Sequence, residues 1–181
     1  MVTLNRTRAA VMLLWLPALL PGALTQKPEA KDPVKAVAVY NGKWHSEDEA
    51  FDTKFSKASK ESVDLDNACS AQGEFYVCHQ QLSKPSGTAS AVMIFLWNRK
   101  AQVFDTYVVD AGGGDPYHGH LVIEGDTFTW ESAADSESGP RWRTLNLFSV
   151  RDRIMYRVQF STDGGKSWTT TKQGTETRVS K

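Results

Sequence analysis

The sequence predicts an all-β protein, an antiparallel up-and-down β-barrel of about ten strands with a short N-terminal helix. Three observations carry that expectation. Short segments of alternating apolar and polar residues recur from residue 43 to residue 179. Turn signals separate most of them closely enough for sequential hairpins. A meander of that length must also hide its edge strands, and closing into a barrel does so. The 181 residues amount to one domain, long enough to bury a core.

Residues 1–25 read as a secretory signal. Arg6 and Arg8 form a basic start, and residues 9–20 an apolar run of about 12, too short to span a bilayer as a helix but suited to a signal core. Pro21-Gly22 breaks the run, and small residues near Ala23 and Thr25 offer cleavage sites. The chain has 21 basic and 21 acidic residues, so losing Arg6 and Arg8 leaves 19 against 21, a net charge of −2. That balance supplies no attraction to nucleic acid or to an anionic membrane. The mature chain is therefore expected to be a secreted or periplasmic monomer without membrane insertion.

Residues 26–32 form a polar, proline-containing lead-in. Asp32-Pro33 then presents an N-cap followed by proline at the first helical position, and Val34, Val37 and Ala38 recur at helical spacing. One or two helical turns should end at Asn41-Gly42. The barrel domain, 33–181, continues with strands expected at 43–51, 54–66, 75–82, 88–97, 102–110, 118–124, 127–132, 141–150, 153–161 and 167–179. Between them stand turn signals such as Lys84-Pro85-Ser86-Gly87, Gly125-Asp126, Ser136-Glu137-Ser138-Gly139-Pro140 and Arg151-Asp152.

Export gives the two cysteines a meaning, because an even pair in an oxidising compartment reads as a disulfide. Cys69 and Cys78 flank Gly73-Glu74, a sequence suited to a type II′ hairpin. Pairing outward from that turn sets Gln72 against Phe75, Ala71 against Tyr76, Ser70 against Val77 and Cys69 against Cys78. A bond between them closes a small loop and should stabilise the fold by about 2.5–3 kcal/mol.

Side chains alternate along a strand, so two hairpins predict faces. About Gly125-Asp126, Leu121, Ile123, Phe128 and Trp130 make an apolar, inward face, and His118, His120, Val122, Glu124, Thr127, Thr129 and Glu131 a polar one. About Arg151-Asp152, Ile154, Tyr156, Val158 and Phe160 share the inward face with Leu147, Leu145 and Arg143. The other face there takes Met155, Arg157, Gln159, Phe148, Asn146, Thr144 and Trp142.

Gly42-x-Trp44 opens this run of strands and Arg178 lies in the last, an arrangement that resembles the calycin signature. That superfamily holds lipocalins and fatty-acid-binding proteins, and the nearest likeness is to secreted bacterial lipocalin-like members without an assigned role. The resemblance implies that Trp44 plugs one end of the barrel and that Arg178 packs over its indole, both residues being structural. A guanidinium stacked on an indole is a favourable contact. The other loop motifs of lipocalins and the Arg-x-Tyr of fatty-acid-binding proteins are missing.

Ligand-binding candidates follow from the inward faces. Arg143, a lone cation among apolar residues, is a candidate anchor for a carboxylate, with Tyr156 assisting; its other reading is a side chain reaching water at the rim. Tyr107, which shares a face with Asp105, and Trp130 complete the set. His118-Gly119-His120 places two imidazoles on one face, with Glu131 across from His120, a spacing that zinc sites use and that solvated faces also show. Residues 161–168 (Ser-Thr-Asp-Gly-Gly-Lys-Ser-Trp) match an Asp-box, which in a single copy reads as a hairpin capped by Asp163. No catalytic residue is assigned, since neither a Gly-x-Ser-x-Gly nor a free Cys beside a His is present. No cofactor is expected. The first functional expectation is an exported binding protein for a small, mostly apolar molecule with or without a carboxylate. The alternatives are an enzyme on the same barrel, metal-dependent through His118 and His120, and a structural or interaction protein whose barrel is filled.

Overall fold

The computed structural model describes residues 32–132, 139–150 and 152–180. The secretory signal, the lead-in up to residue 31 and most of the turn around Ser136 lie outside the described residues. A short helix α1 (Pro33–Val37) and a 3-10 turn (Ala38–Tyr40) precede ten strands. These are β1 (Gly42–Ala50), β2 (Ser59–Gln72), β3 (Phe75–Lys84), β4 (Gly87–Asn98), β5 (Val103–Asp110), β6 (Tyr117–Glu124), β7 (Thr127–Ser132), β8 (Arg141–Val150), β9 (Arg153–Ser161) and β10 (Thr169–Ser180). Each strand pairs antiparallel with its chain neighbours, and β10 returns to pair with β1, so the barrel closes. No edge remains to be protected.

Local chemistry explains the boundaries. The Asp32 side chain caps the helix by accepting from the Lys35 backbone N–H, and Pro33 takes a first-turn position where no N–H is needed. Gly73 turns β2 into β3 at φ 63°, and the register runs from Gln72 opposite Phe75 to Cys69 opposite Cys78. The two cysteines form a disulfide. Strand β2 starts at Ser59, five residues later than the expected 54. Thr53 accounts for the difference, because its hydroxyl accepts the N–H groups of Phe55 and Ser56, each at 3.1 Å. That local bond competes with the ladder and holds the segment as a turn.

The β6–β7 faces agree with expectation, Leu121 standing opposite Trp130 and Ile123 opposite Phe128. The β8 face is reversed. Val150 pairs with Arg153 as a tight turn requires, but the register slips by one residue between Leu147 and Val150, and Asn146 then stands opposite Tyr156. An extra residue in one strand turns every later side chain to the other face. Trp142, Thr144 and Asn146 therefore face inward, and Arg143, Leu145 and Leu147 outward. Tyr107 and Asp105 also point outward, since their neighbours Phe104 and Thr106 fill the interior at 1% and 0% exposure.

Trp44, α1 and the β2–β3, β6–β7 and β8–β9 turns share one end of the barrel. Val37, Tyr40, Trp44, Tyr76, Cys78, Phe95, Phe104, Leu121, Phe128 and Ile154 pack there as a continuous core. At the opposite end, Phe55 packs on Trp142 and Phe160 at ring distances of 5.0 and 4.7 Å. The barrel is filled in its closed half and hollow in the other.

Candidate functional site

A cavity of about 1110 Å³ occupies the open half. Its apolar wall includes Val63 and Leu65 from β2, Leu82 from β3, Met93 from β4, Trp130 from β7 and Val158 from β9. Each of these points inward because it shares the alternation of a core residue on its own strand.

Tyr40 is the floor. The turn after α1 delivers its ring into the barrel, where Phe128 and Phe148 stand edge-on at 6.0 and 5.6 Å. Its hydroxyl accepts from Trp130 Nε1 at 3.0 Å and from Asn146 Nδ2 at 2.9 Å. Its carbonyl accepts from Trp44 Nε1 at 3.1 Å and from Asn67 Nδ2 at 3.0 Å. Burial pushes the Tyr40 phenol far above its ordinary range, so it stays neutral.

Polar side chains such as Asn67, Gln80, Thr144 and Asn146 share the cavity wall, and a charged polar sector lies where β1, β9 and β10 meet. Asp48 is 7% exposed. It accepts from the hydroxyls of Ser46 and Tyr156 and lies 2.5 Å from Lys172 Nζ. Burial alone would raise its carboxyl, but Lys172, Ser46 and Tyr156 outweigh that and hold it below the usual range. Burial and the adjoining Asp48 drive the Tyr156 phenol upward. The side chains crowd so closely that a Cβ on Gly174 would lie 2.7 Å from Asp48 Oδ1 and 2.7 Å from Tyr156 Cε1. Glu176, directly across from Ser46, also lines the cavity. Burial and then the charge of Asp48 push its carboxyl up to about 7, with Lys172 opposing.

Of the residues singled out in the sequence, Tyr156 and Trp130 line the cavity together, and His118 borders it. Arg143 borders it at the rim, but the guanidinium turns outward, donating to Gln159 at 2.8 Å and lying 4.1 Å over the Trp168 ring. Tyr107 is an outer residue stacked on His118 at 4.6 Å. His120 pairs with Asp105 at 2.9 Å, and Glu131 with Arg141 at 2.9 Å. The His118 and His120 rings lie 5.9 Å apart, but His120 and Glu131 are engaged by these other partners, and no group of three or more metal-ligating side chains gathers among the described residues. Asp163 accepts from the backbone N–H and hydroxyl of Ser167, at 2.9 and 2.6 Å, closing the Asp-box hairpin.

Tyr40, Asp48, Lys172 and Glu176 were not singled out in the sequence. A signal for three of them was present. Trp44 and Arg178 face inward, so stepping by two along their strands reaches Ser46 and Asp48 on one side and Glu176, Gly174 and Lys172 on the other. Tyr40 precedes the first strand and had no alternation to place it.

No protein-family model matches the chain, and no curated protein matches its sequence. Among solved structures, the S-type phycobiliprotein lyase CPES from Guillardia theta matches with a TM-score of 0.54 at 18% identity, over 80% of this chain and 90% of that one. Rv2717c from M. tuberculosis matches with a TM-score of 0.54 at 13% identity, over 81% of this chain and 98% of that one. The likeness is one of fold. All three are antiparallel β-barrels.

Proposed function

We propose that this chain is a binding protein that holds a small molecule with a mostly apolar body in the open half of its barrel. The observation that carries the reading is the cavity itself, whose volume of about 1110 Å³ is slightly above the range usual for ligand sites. Its wall combines an apolar share with polar groups from several strands, and Asp48, Lys172 and Glu176 cluster on one side, a pattern that orients a bound molecule. A filled barrel is opposed by the same cavity. A metal-dependent enzyme gains no support, because His120 pairs with Asp105 and Glu131 with Arg141, and no third ligand joins His118 where it borders the cavity among the described residues. The carboxylate-terminated ligand loses its anchor with Arg143. An exported setting is supported by the signal-like residues 1–25 and by a disulfide, which persists in oxidising compartments.

Native mass spectrometry of protein purified from its own source should eject a small apolar molecule on activation. Leu65→Trp, which fills the cavity, should remove it. A chain that carries nothing and takes up no apolar fluorescent probe would overturn the reading.

A further inference from the structure

The charges on the polar sector do not balance within the protein. Asp48 and Lys172 satisfy each other, and Ser46 and Tyr156 occupy the remaining capacity of the Asp48 carboxylate. Glu176 is left over. It is half-buried and lines the cavity, and among the described residues its carboxyl takes no hydrogen bond and no ion pair. The groups around it are Asp48 from β1, Tyr156 from β9, Lys172 from its own strand and Tyr40 from the turn below. Lys172 is the cation among them, and it is committed to Asp48. A half-buried carboxylate that faces the cavity without a partner loses part of its hydration once an apolar molecule fills the space, so the site favours a molecule that supplies one. A ligand carboxylate would meet two acids there. A neutral hydroxyl would leave the charge uncompensated. A nitrogen cation supplies both the charge and the donor hydrogens.

We propose that the molecule bound in the cavity carries a basic nitrogen, an amine or amidine at the end of its apolar body, and that Glu176 receives it. This rests on the cavity reading above and goes further by naming the chemistry of the polar end. The nitrogen lies against β10 and β1, and the apolar body runs along Val63, Leu65 and Met93.

The test compares three probes with the same chain, dodecylamine, dodecanol and dodecanoic acid, by calorimetric titration into the disulfide-intact protein. At about pH 8 the amine should bind at least about tenfold more tightly than the alcohol or the acid, the scale of a charge-assisted hydrogen bond. Glu176→Gln should bring the amine to the level of the alcohol and leave the alcohol unchanged, and Glu176→Asp should restore part of the difference. In the wild-type protein, amine affinity should fall as pH drops through about 7 while alcohol affinity stays level. That arm needs no variant to fold. Equal binding of amine and acid, or an amine affinity untouched both by Glu176→Gln and by pH, overturns the inference and leaves the cavity reading standing on the alcohol. Failure of all three probes to bind overturns both.

Discussion

The guanidinium of Arg178 lies 4.0 Å over the indole of Trp44, and the two residues are cross-strand neighbours where the last strand closes onto the first. The same guanidinium donates to the carbonyls of Val39 and Asn41 and to Asp152. One side chain therefore ties the end of the barrel to the turn after the helix. Trp44→Ala should destabilise the protein by about 3–5 kcal/mol, as large core truncations do. Arg178→Ala should cost about 2–3 kcal/mol through the lost stacking and two orphaned carbonyls. Urea unfolding measures both. A Trp44→Ala protein that unfolds at the wild-type midpoint but loses its ligand would invert the assignment of closed and open ends.

Reduction of the Cys69–Cys78 bond should lower stability by about 2.5–3 kcal/mol, because it frees a short loop in the unfolded chain. The check is a pair of urea titrations, oxidised and reduced. Binding to the cavity should survive reduction under mild conditions, since the bond belongs to the closed half.

Glu176 and Asp48 should tilt stability in opposite directions with pH. The folded-state value for Glu176 is raised to about 7 from 4.5, so its contribution is complete below the unfolded value and is lost as pH rises through about 7. At most about 3 kcal/mol is at stake, and less to the extent that water enters the cavity. Asp48 is shifted downward, so its contribution is present above the unfolded value and is lost as pH falls through the acid range. Unfolding free energy measured against pH should therefore decline on the alkaline side of about 5 and again in strong acid. Glu176→Gln should flatten the first decline and leave the second.

Gly174→Ala places a methyl among Asp48, Tyr156 and the Glu47 carbonyl, at 2.7, 2.7 and 2.8 Å. Backbone on one side and a hydrogen-bonded carboxylate on the other leave little room to yield. The expected cost is about 1–3 kcal/mol, together with weaker ligand binding. If denaturation shows no loss and a titration no weakening, the crowding of this sector is overstated.

Tyr40→Phe removes the acceptor that Trp130 Nε1 and Asn146 Nδ2 share. Two donors beside the core lose their partner, at a cost of about 1–3 kcal/mol. Trp130 emission should shift, which places the change at the cavity floor.

Most of the fold was legible in the sequence because it rests on short-range physics. Thr127–Ser132, Arg141–Val150 and Arg153–Ser161 begin and end where alternation and turn residues place them. The Cys69–Cys78 register follows from one glycine turn. The misread elements share a different cause. Starting a strand at Lys54 overlooked the Thr53 side chain, which bonds the backbone of Phe55 and Ser56 and holds them in a turn. Reading Arg143 as an interior anchor assumed an unbroken ladder, and one extra residue beyond Leu147 exchanged the two faces of β8.

What the sequence determined by itself was the all-β architecture, the hairpin order and the disulfide register, set by residue periodicity and turn chemistry. The Trp44–Arg178 relation came from the resemblance of Gly42-x-Trp44 and Arg178 to the calycin signature. Only the tertiary structure decided where the barrel is filled and where it is hollow, and which polar residues meet inside. Asp48, Tyr156, Lys172 and Glu176 come from strands over a hundred residues apart in the chain at their widest separation. They become neighbours because β10 closes onto β1, and closure is a property of the whole sheet that no local pattern encodes.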